Sequence, residues 1–154
     1  MKEIINPFVD ATVDCFVTMM DVTPSLKDIV FKELPIEYTD ICAIIGLSGD
    51  AQGMVALSFS LKTAKQVSSL FLGEDIDDEG EITDAIAEVI NIIAGAAKAK
   101  IKERKMSISL PTVMRGEKFM LDVPKEVPTM SISFNLPEIG EMNIVVALRM
   151  NEGV

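Results

Sequence analysis

The sequence predicts an α+β domain in two layers, a mostly antiparallel sheet with helices packed on one face. Three observations carry this expectation. One long amphipathic helix pattern occupies residues 81–101, near the middle of the chain. Met130, Ile132 and Phe134 alternate with Ser131, Ser133 and Asn135, the period of a half-buried antiparallel strand. Finally, the predicted elements run in the order helix, hairpin, two helices and then several strands, which segregates helices from most of the sheet. At 154 residues and 49% hydrophobic content, residues 1–154 are expected to form a single domain with a substantial core.

The first helix is expected to open with Asn6 as N-cap and Pro7 at its first position, because Pro lacks the N–H that a helix start leaves unbonded. Phe8, Ala11, Thr12, Cys15, Phe16 and Met19 then recur at helical spacing as its core face, ending near Met20 before Pro24. Residues 28–38 and 40–47 read as strands. Ser48-Gly49-Asp50 is a turn signal leading to a strand over 53–60, where Val55, Leu57 and Phe59 alternate with Met54, Ala56 and Ser58. Residues 61–72 return to helical spacing with Ala64, Val67, Leu70 and Phe71 inward, and Gly73 stops that helix. Beyond the long helix, residues 107–113, 118–123, 127–136 and 142–150 read as strands punctuated by Pro111, Gly116, Pro124 and the turn Pro137-Glu138-Ile139-Gly140. The last two form a hairpin.

The long helix divides into two faces. At 100° per residue, Ile82, Ile86, Val89, Ile90, Ile93, Ala97 and Ile101 gather on one side as the anchor. Asp84, Glu88, Asn91, Gly95, Lys98 and Lys102 gather opposite, with Ala85, Ile92, Ala96 and Ala99 beside them on the solvent side. Such a polar stripe is ordinarily no more than a solvated face. Here, however, Asn91 and Gly95 both disfavour a helix interior, Gly95 by about 1 kcal/mol relative to Ala. Those costs, and an isoleucine at position 92 beside the polar side, suit a surface that something approaches closely.

Charge and residue usage remove several classes of function. A net charge of −10 argues against nucleic acid or an anionic membrane as partner. No apolar run reaches the roughly 20 residues of a membrane span, and the N-terminal residues lack a basic-then-apolar leader, so a cytoplasmic protein is expected. With no histidine, a Ser-His-Asp triad and a histidine zinc site are excluded. Neither GxxxxGK[ST] nor GxGxxG occurs. Asp75, Asp77, Glu79 and Gly80 mimic the start of a calcium loop, but its twelfth position is Ile86 in place of a bidentate glutamate. Residues 73–81 are instead expected to be an acidic connector favouring the next helix N-terminus. Cys15 and Cys42 lack partners for a metal cluster and read as buried thiols.

The run Asp84-x-x-x-Glu88-x-x-Asn91 within DAIAEVINIIAGAAKAKI resembles the signature of the CheC/CheX/FliY phosphatases of chemotaxis. INPFVDATVDCF, AIIGLSGDAQGMVALSFS, LFLGED and LPTVMRGE resemble the CheX branch in the same order, so the likeness spans most of the chain. A single signature is present, since the first helix offers Asp14 without a paired Asn; Ala96 stands where relatives often carry Asn. The resemblance implies a phosphatase acting on the aspartyl phosphate of a CheY-type response regulator in two-component signalling. It implies that Asn91 orients the attacking water, that Glu88 pairs with the receiver's lysine and that Asp84 supports them, with Ile92 and Gly95 at the docking surface. It also implies a homodimer and no cofactor or metal of this chain's own, the Mg²⁺ being supplied by the receiver. The alternative is a non-catalytic interaction module similar to flagellar switch components, or a purely structural dimer.

Overall fold

The computed structural model describes residues 2–31, 36–101 and 103–151. Its elements are α1 (Lys2–Met20), β1 (Ser25–Phe31), β2 (Ile36–Gly49), β3 (Ala51–Phe59), α2 (Leu61–Leu72), α3 (Glu79–Lys100), β4 (Met106–Ile108), β5 (Thr112–Leu121), β6 (Thr129–Leu136) and β7 (Gly140–Met150). The strands form one open antiparallel sheet in the order β1-β6-β7-β3-β2-β4, with β5 beside β4 on the far edge of β2. Helices α1, α2 and α3 pack on one another, and α3 lies over β2, β3, β4 and β5. This is the expected α+β layering.

The core lies between the layers. Ile41, Ala43, Ile45 and Leu47 of β2, Val55, Leu57 and Phe59 of β3, and the matching positions of β6 and β7 meet Phe8, Phe16, Val67, Ile86, Ile90 and Ile93 of the helices. The opposite sheet face carries a smaller cluster of Tyr38, Cys42, Ala56 and Val145. Beside it Asn143 donates from Nδ2 to Ser131 Oγ at 2.7 Å and to Ser133 Oγ at 3.2 Å, so that these three polar side chains are paired. None of the described helices is long and apolar enough to cross a membrane.

The structure corrects several sequence expectations. Helix α1 begins at Lys2 rather than at Asn6, which places Pro7 inside it. Ile4 and Ile5 are buried at 6% and 3% exposure and explain the longer helix. Burying each contributes about 1.5–3 kcal/mol, which together offsets the roughly 3 kcal/mol that an interior Pro costs. On the same helix Met19 is 44% exposed, and Met20, four residues after Phe16, takes the core position. In α2, Ala64 and Val67 are buried and Phe71 packs against the core, but Leu70 points outward.

Residues 28–38 are not one strand. Residues of β1 pair with β6, from Ser25 opposite Asn135 to Phe31 opposite Met130, and three strands separate β1 from β2 in the sheet. The middle of that expected strand, residues 32–35, lies outside the described residues. Residues 107–113 likewise divide between β4 and β5 around Pro111, which cannot donate to a ladder. Gly116 sits within β5 opposite Asp40, where a bulge between Tyr38 and Asp40 absorbs the irregularity. The expected hairpins do form, β2 with β3 and β6 with β7.

Both cysteines are free and buried. Burial pushes the Cys15 thiol up to about 11 and the Cys42 thiol up to about 12, from an ordinary value of 9.0. A raised acid pKa means that the native state keeps its proton where the unfolded state has lost it. This contribution is fully present below about pH 9 and is lost as pH rises through 11 and 12. Urea titrations should therefore show wild-type stability falling more steeply between pH 9 and pH 11 than in Cys42→Ala. Equal slopes would show that the thiol contributes nothing.

Candidate functional site

Helix α3 is fixed at both ends and along one side. Asp78 caps it, its carboxylate accepting from the Glu81 backbone N–H at 3.0 Å, and Glu79 and Glu81 add negative charge in the first turn. The acidic connector therefore does what its composition suggests. Asp77, in the same connector, pairs with Lys65 of α2 at 2.8 Å. That lysine holds the Asp77 carboxyl below its ordinary value. At the other end the Ile101 N–H bonds the Ala97 and Lys98 carbonyls. Along its length Ile82, Ile86, Val89, Ile90, Ile93 and Ala97 are buried, as is Ile101 beyond its end.

The opposite face is open. Asp84, Glu88 and Lys98 are exposed, and Asn91 and Gly95 are half-buried. Lys102 lies outside the described residues. Among the described residues the side chains of Asp84, Glu88 and Asn91 make no hydrogen bond or ion pair. Glu88 and Asn91 are neighbours about one turn apart on the same face, a separation of about 5–6 Å between Cβ atoms. The result is an acid free to accept from a cation and an amide free to donate and accept at once.

The apolar flank differs from expectation. Ala85 is buried at 3% exposure, because α1 and α2 close over more of the helix than one sheet face alone would. Ile92 and Ala96 are half-buried and pack against the core, and Ala99 is exposed. Ile92 thus belongs partly to the core and partly to the surface.

Among the described residues, neither Glu88 nor Asn91 lines the five grooves of about 340–960 Å³ on this surface. A small-molecule enzyme normally buries most of its substrate in a concave pocket. A convex helix face suits a protein substrate instead. Sequence reasoning missed two charged features beside this face. Arg115 of β5 pairs with Glu79 at 2.9 Å, at the start of α3. Lys98, Arg104 and Lys105 line an open groove of about 720 Å³ along its C-terminal half. The signal for the second was present as Lys100, Lys102, Arg104 and Lys105 within six residues of an acidic chain. Among the described residues no group of three or more His, Cys, Asp or Glu side chains is placed to hold a metal.

Fold and site together define a two-layer α+β protein presenting, among the described residues, an unpaired acid and amide on the outward face of a helix. The chain belongs to the CheX family: the family model described as chemotaxis phosphatase CheX matches residues 41–135. None of the curated proteins matches the sequence. Among solved structures, the chemotaxis protein CheX of Desulfovibrio desulfuricans is 27% identical with a TM-score of 0.85, covering 97% of this chain and 99% of that one. CheX in the CheX–CheY–BeF₃–Mg²⁺ complex of Borrelia burgdorferi is 25% identical with a TM-score of 0.78, covering 95% and 97%. Thermotoga maritima FliY shares the fold at 15% identity and a TM-score of 0.67, covering 94% and 86%.

Proposed function

We propose that this protein hydrolyses the aspartyl phosphate of a CheY-type response regulator in chemotaxis signalling, acting in the cytoplasm. The observation that carries the reading is the unpaired Glu88 and Asn91 side by side on the exposed face of α3, in a chain of the chemotaxis phosphatase family. The Borrelia relative, which forms a complex with CheY, BeF₃ and Mg²⁺, supports the choice of partner.

The chemistry asked of this chain is modest, because an acyl phosphate is already activated and the receiver brings its own Mg²⁺ and lysine. Asn91 accepts from and donates to a water molecule, holding it in line with the phosphorus–oxygen bond that breaks. The water oxygen bonds to phosphorus as the aspartate oxygen leaves. Inorganic phosphate and a free receiver carboxylate result, and the water proton passes to phosphate or solvent. Glu88 pairs with the receiver lysine and sets the register of docking. Asp84, one turn earlier on the same face, adds negative charge beside Glu88, and Ile92 and Gly95 form the adjoining contact surface.

Loss of aspartyl phosphate from phosphorylated CheY-type receivers of the same organism, with and without this protein, is the direct test. Acceleration supports the reading. Binding without acceleration would make the chain an interaction module. Glu88→Ala should weaken docking and slow turnover together, since an interfacial charge pair affects both. A Glu88→Ala variant with wild-type affinity for the receiver would remove Glu88 from the interface.

The same reading includes a homodimer formed through sheet edges. Edge strand β1 supports it, being exposed at all seven positions, with Leu26, Ile29, Val30 and Phe31 among them. Sedimentation should find a species of twice 16.8 kDa at micromolar concentration. A monomer only would exclude the dimer.

A further inference from the structure

The C-terminal half of α3, strand β4 and the β2–β3 turn enclose the groove of about 720 Å³ noted above. Lys98, Arg104 and Lys105 line it, in a chain whose net charge is −10. Among the described residues none of these three cations is in an ion pair, whereas neighbouring Lys100 is held by Asp14 at 3.2 Å. Asp50, the one acid among the described residues that line the groove, already accepts from the Lys105 backbone N–H at 2.8 Å.

The walls are built firmly. Gly49 has φ +108°, and a Cβ there would lie 2.4 Å from the Lys105 carbonyl oxygen, so the turn and residue 105 are in close backbone contact. Asp50 N–H bonds that same carbonyl at 2.9 Å. Gly95, on the helical wall, is different. A Cβ there would meet nothing within 4 Å, so packing within the chain does not require glycine at this position. The open space lies where the groove meets the face that carries Asn91 and Glu88.

That face is electrically polarised. Glu81, Asp84 and Glu88 occupy its N-terminal half, and Lys98 follows Asn91 by seven residues, about 10 Å along the axis. We propose that the groove receives an acidic segment of the protein that docks on α3, its carboxylates meeting Lys98, Arg104 and Lys105 and its backbone passing over Gly95. This inference rests on the receiver being that protein. The two ends of the helix then attract opposite charges, and the partner can lie along α3 in one sense only.

The test measures affinity for a beryllofluoride-activated CheY-type receiver between 50 and 300 mM salt. K98E/K105E should raise Kd about tenfold at low salt and flatten its salt dependence. K62E/K125E, which makes the same charge change at exposed positions elsewhere, should stay within about twofold. Gly95→Leu should weaken binding while leaving thermal stability equal or higher, because it removes a helix-breaking residue. If wild type binds and hydrolyses the phosphorylated receiver, and K98E/K105E binds no worse than K62E/K125E, the groove assignment falls while the phosphatase reading stands. If wild type neither binds nor hydrolyses any receiver, both fall.

Discussion

Asn91→Ala is expected to lower the rate of receiver dephosphorylation by about 10²-fold or more, the scale of losing a group that positions a reactant. The fold should be untouched. Among the described residues the Asn91 side chain makes no hydrogen bond, so its removal orphans no partner. Alanine also favours a helix interior over asparagine, so stability should be equal or slightly higher. Docking should largely survive, because the charge of Glu88 remains. Single-turnover decay of phosphorylated receiver, run beside a binding titration, separates the two effects. Full activity in Asn91→Ala would mean that another group orients the water.

Ile93→Glu should damage folding severely. Ile93 is 1% exposed in the middle of the core, and a carboxylate there has no cation to meet among the surrounding apolar side chains. A loss of about 4 kcal/mol or more is expected, against a total stability for such a domain of about 5–15 kcal/mol. Helical circular dichroism at 25 °C and a denaturant titration would show a largely unfolded or strongly destabilised chain. Native-like stability would contradict the burial of this face. The neighbouring Ile92→Glu should differ in kind. Ile92 is half-buried, so the variant should stay folded at a cost of about 1–2 kcal/mol and lose receiver affinity.

These two residues show why much of the site could be read from sequence. Helical periodicity assigns faces by angle, and it separated Ile93 from Glu88 and Asn91 without any tertiary information. Positions near the boundary between faces were less legible. Ala85 was expected in solvent and is buried, because the width of a buried face depends on which helices pack beside it. Met19 and Leu70 failed in the opposite sense, at stripe edges where the next apolar residue took the core.

Strand limits were obscured by long-range pairing. Nothing local says that residues 25–31 belong beside β6 while residues 36–49 belong beside β3. The early start of α1 was hidden by a capping signal at Asn6-Pro7 that burial of Ile4 and Ile5 overrides. The basic groove was beyond periodicity altogether, since it joins residues 49–50, 95–99 and 104–108 through the fold.

Strand β2 is 14 residues long and is bonded on both sides, to β3 along one edge and to β5 and then β4 along the other. Strand β1, at the far edge of the sheet, is bonded on one side only among the described residues. Local opening starts where few bonds hold a segment, so β1 opens more readily than β2. Helix α3 packs over β2 and its neighbours, away from β1. A fluctuation that frays the margin therefore leaves the acid and amide in register with their support.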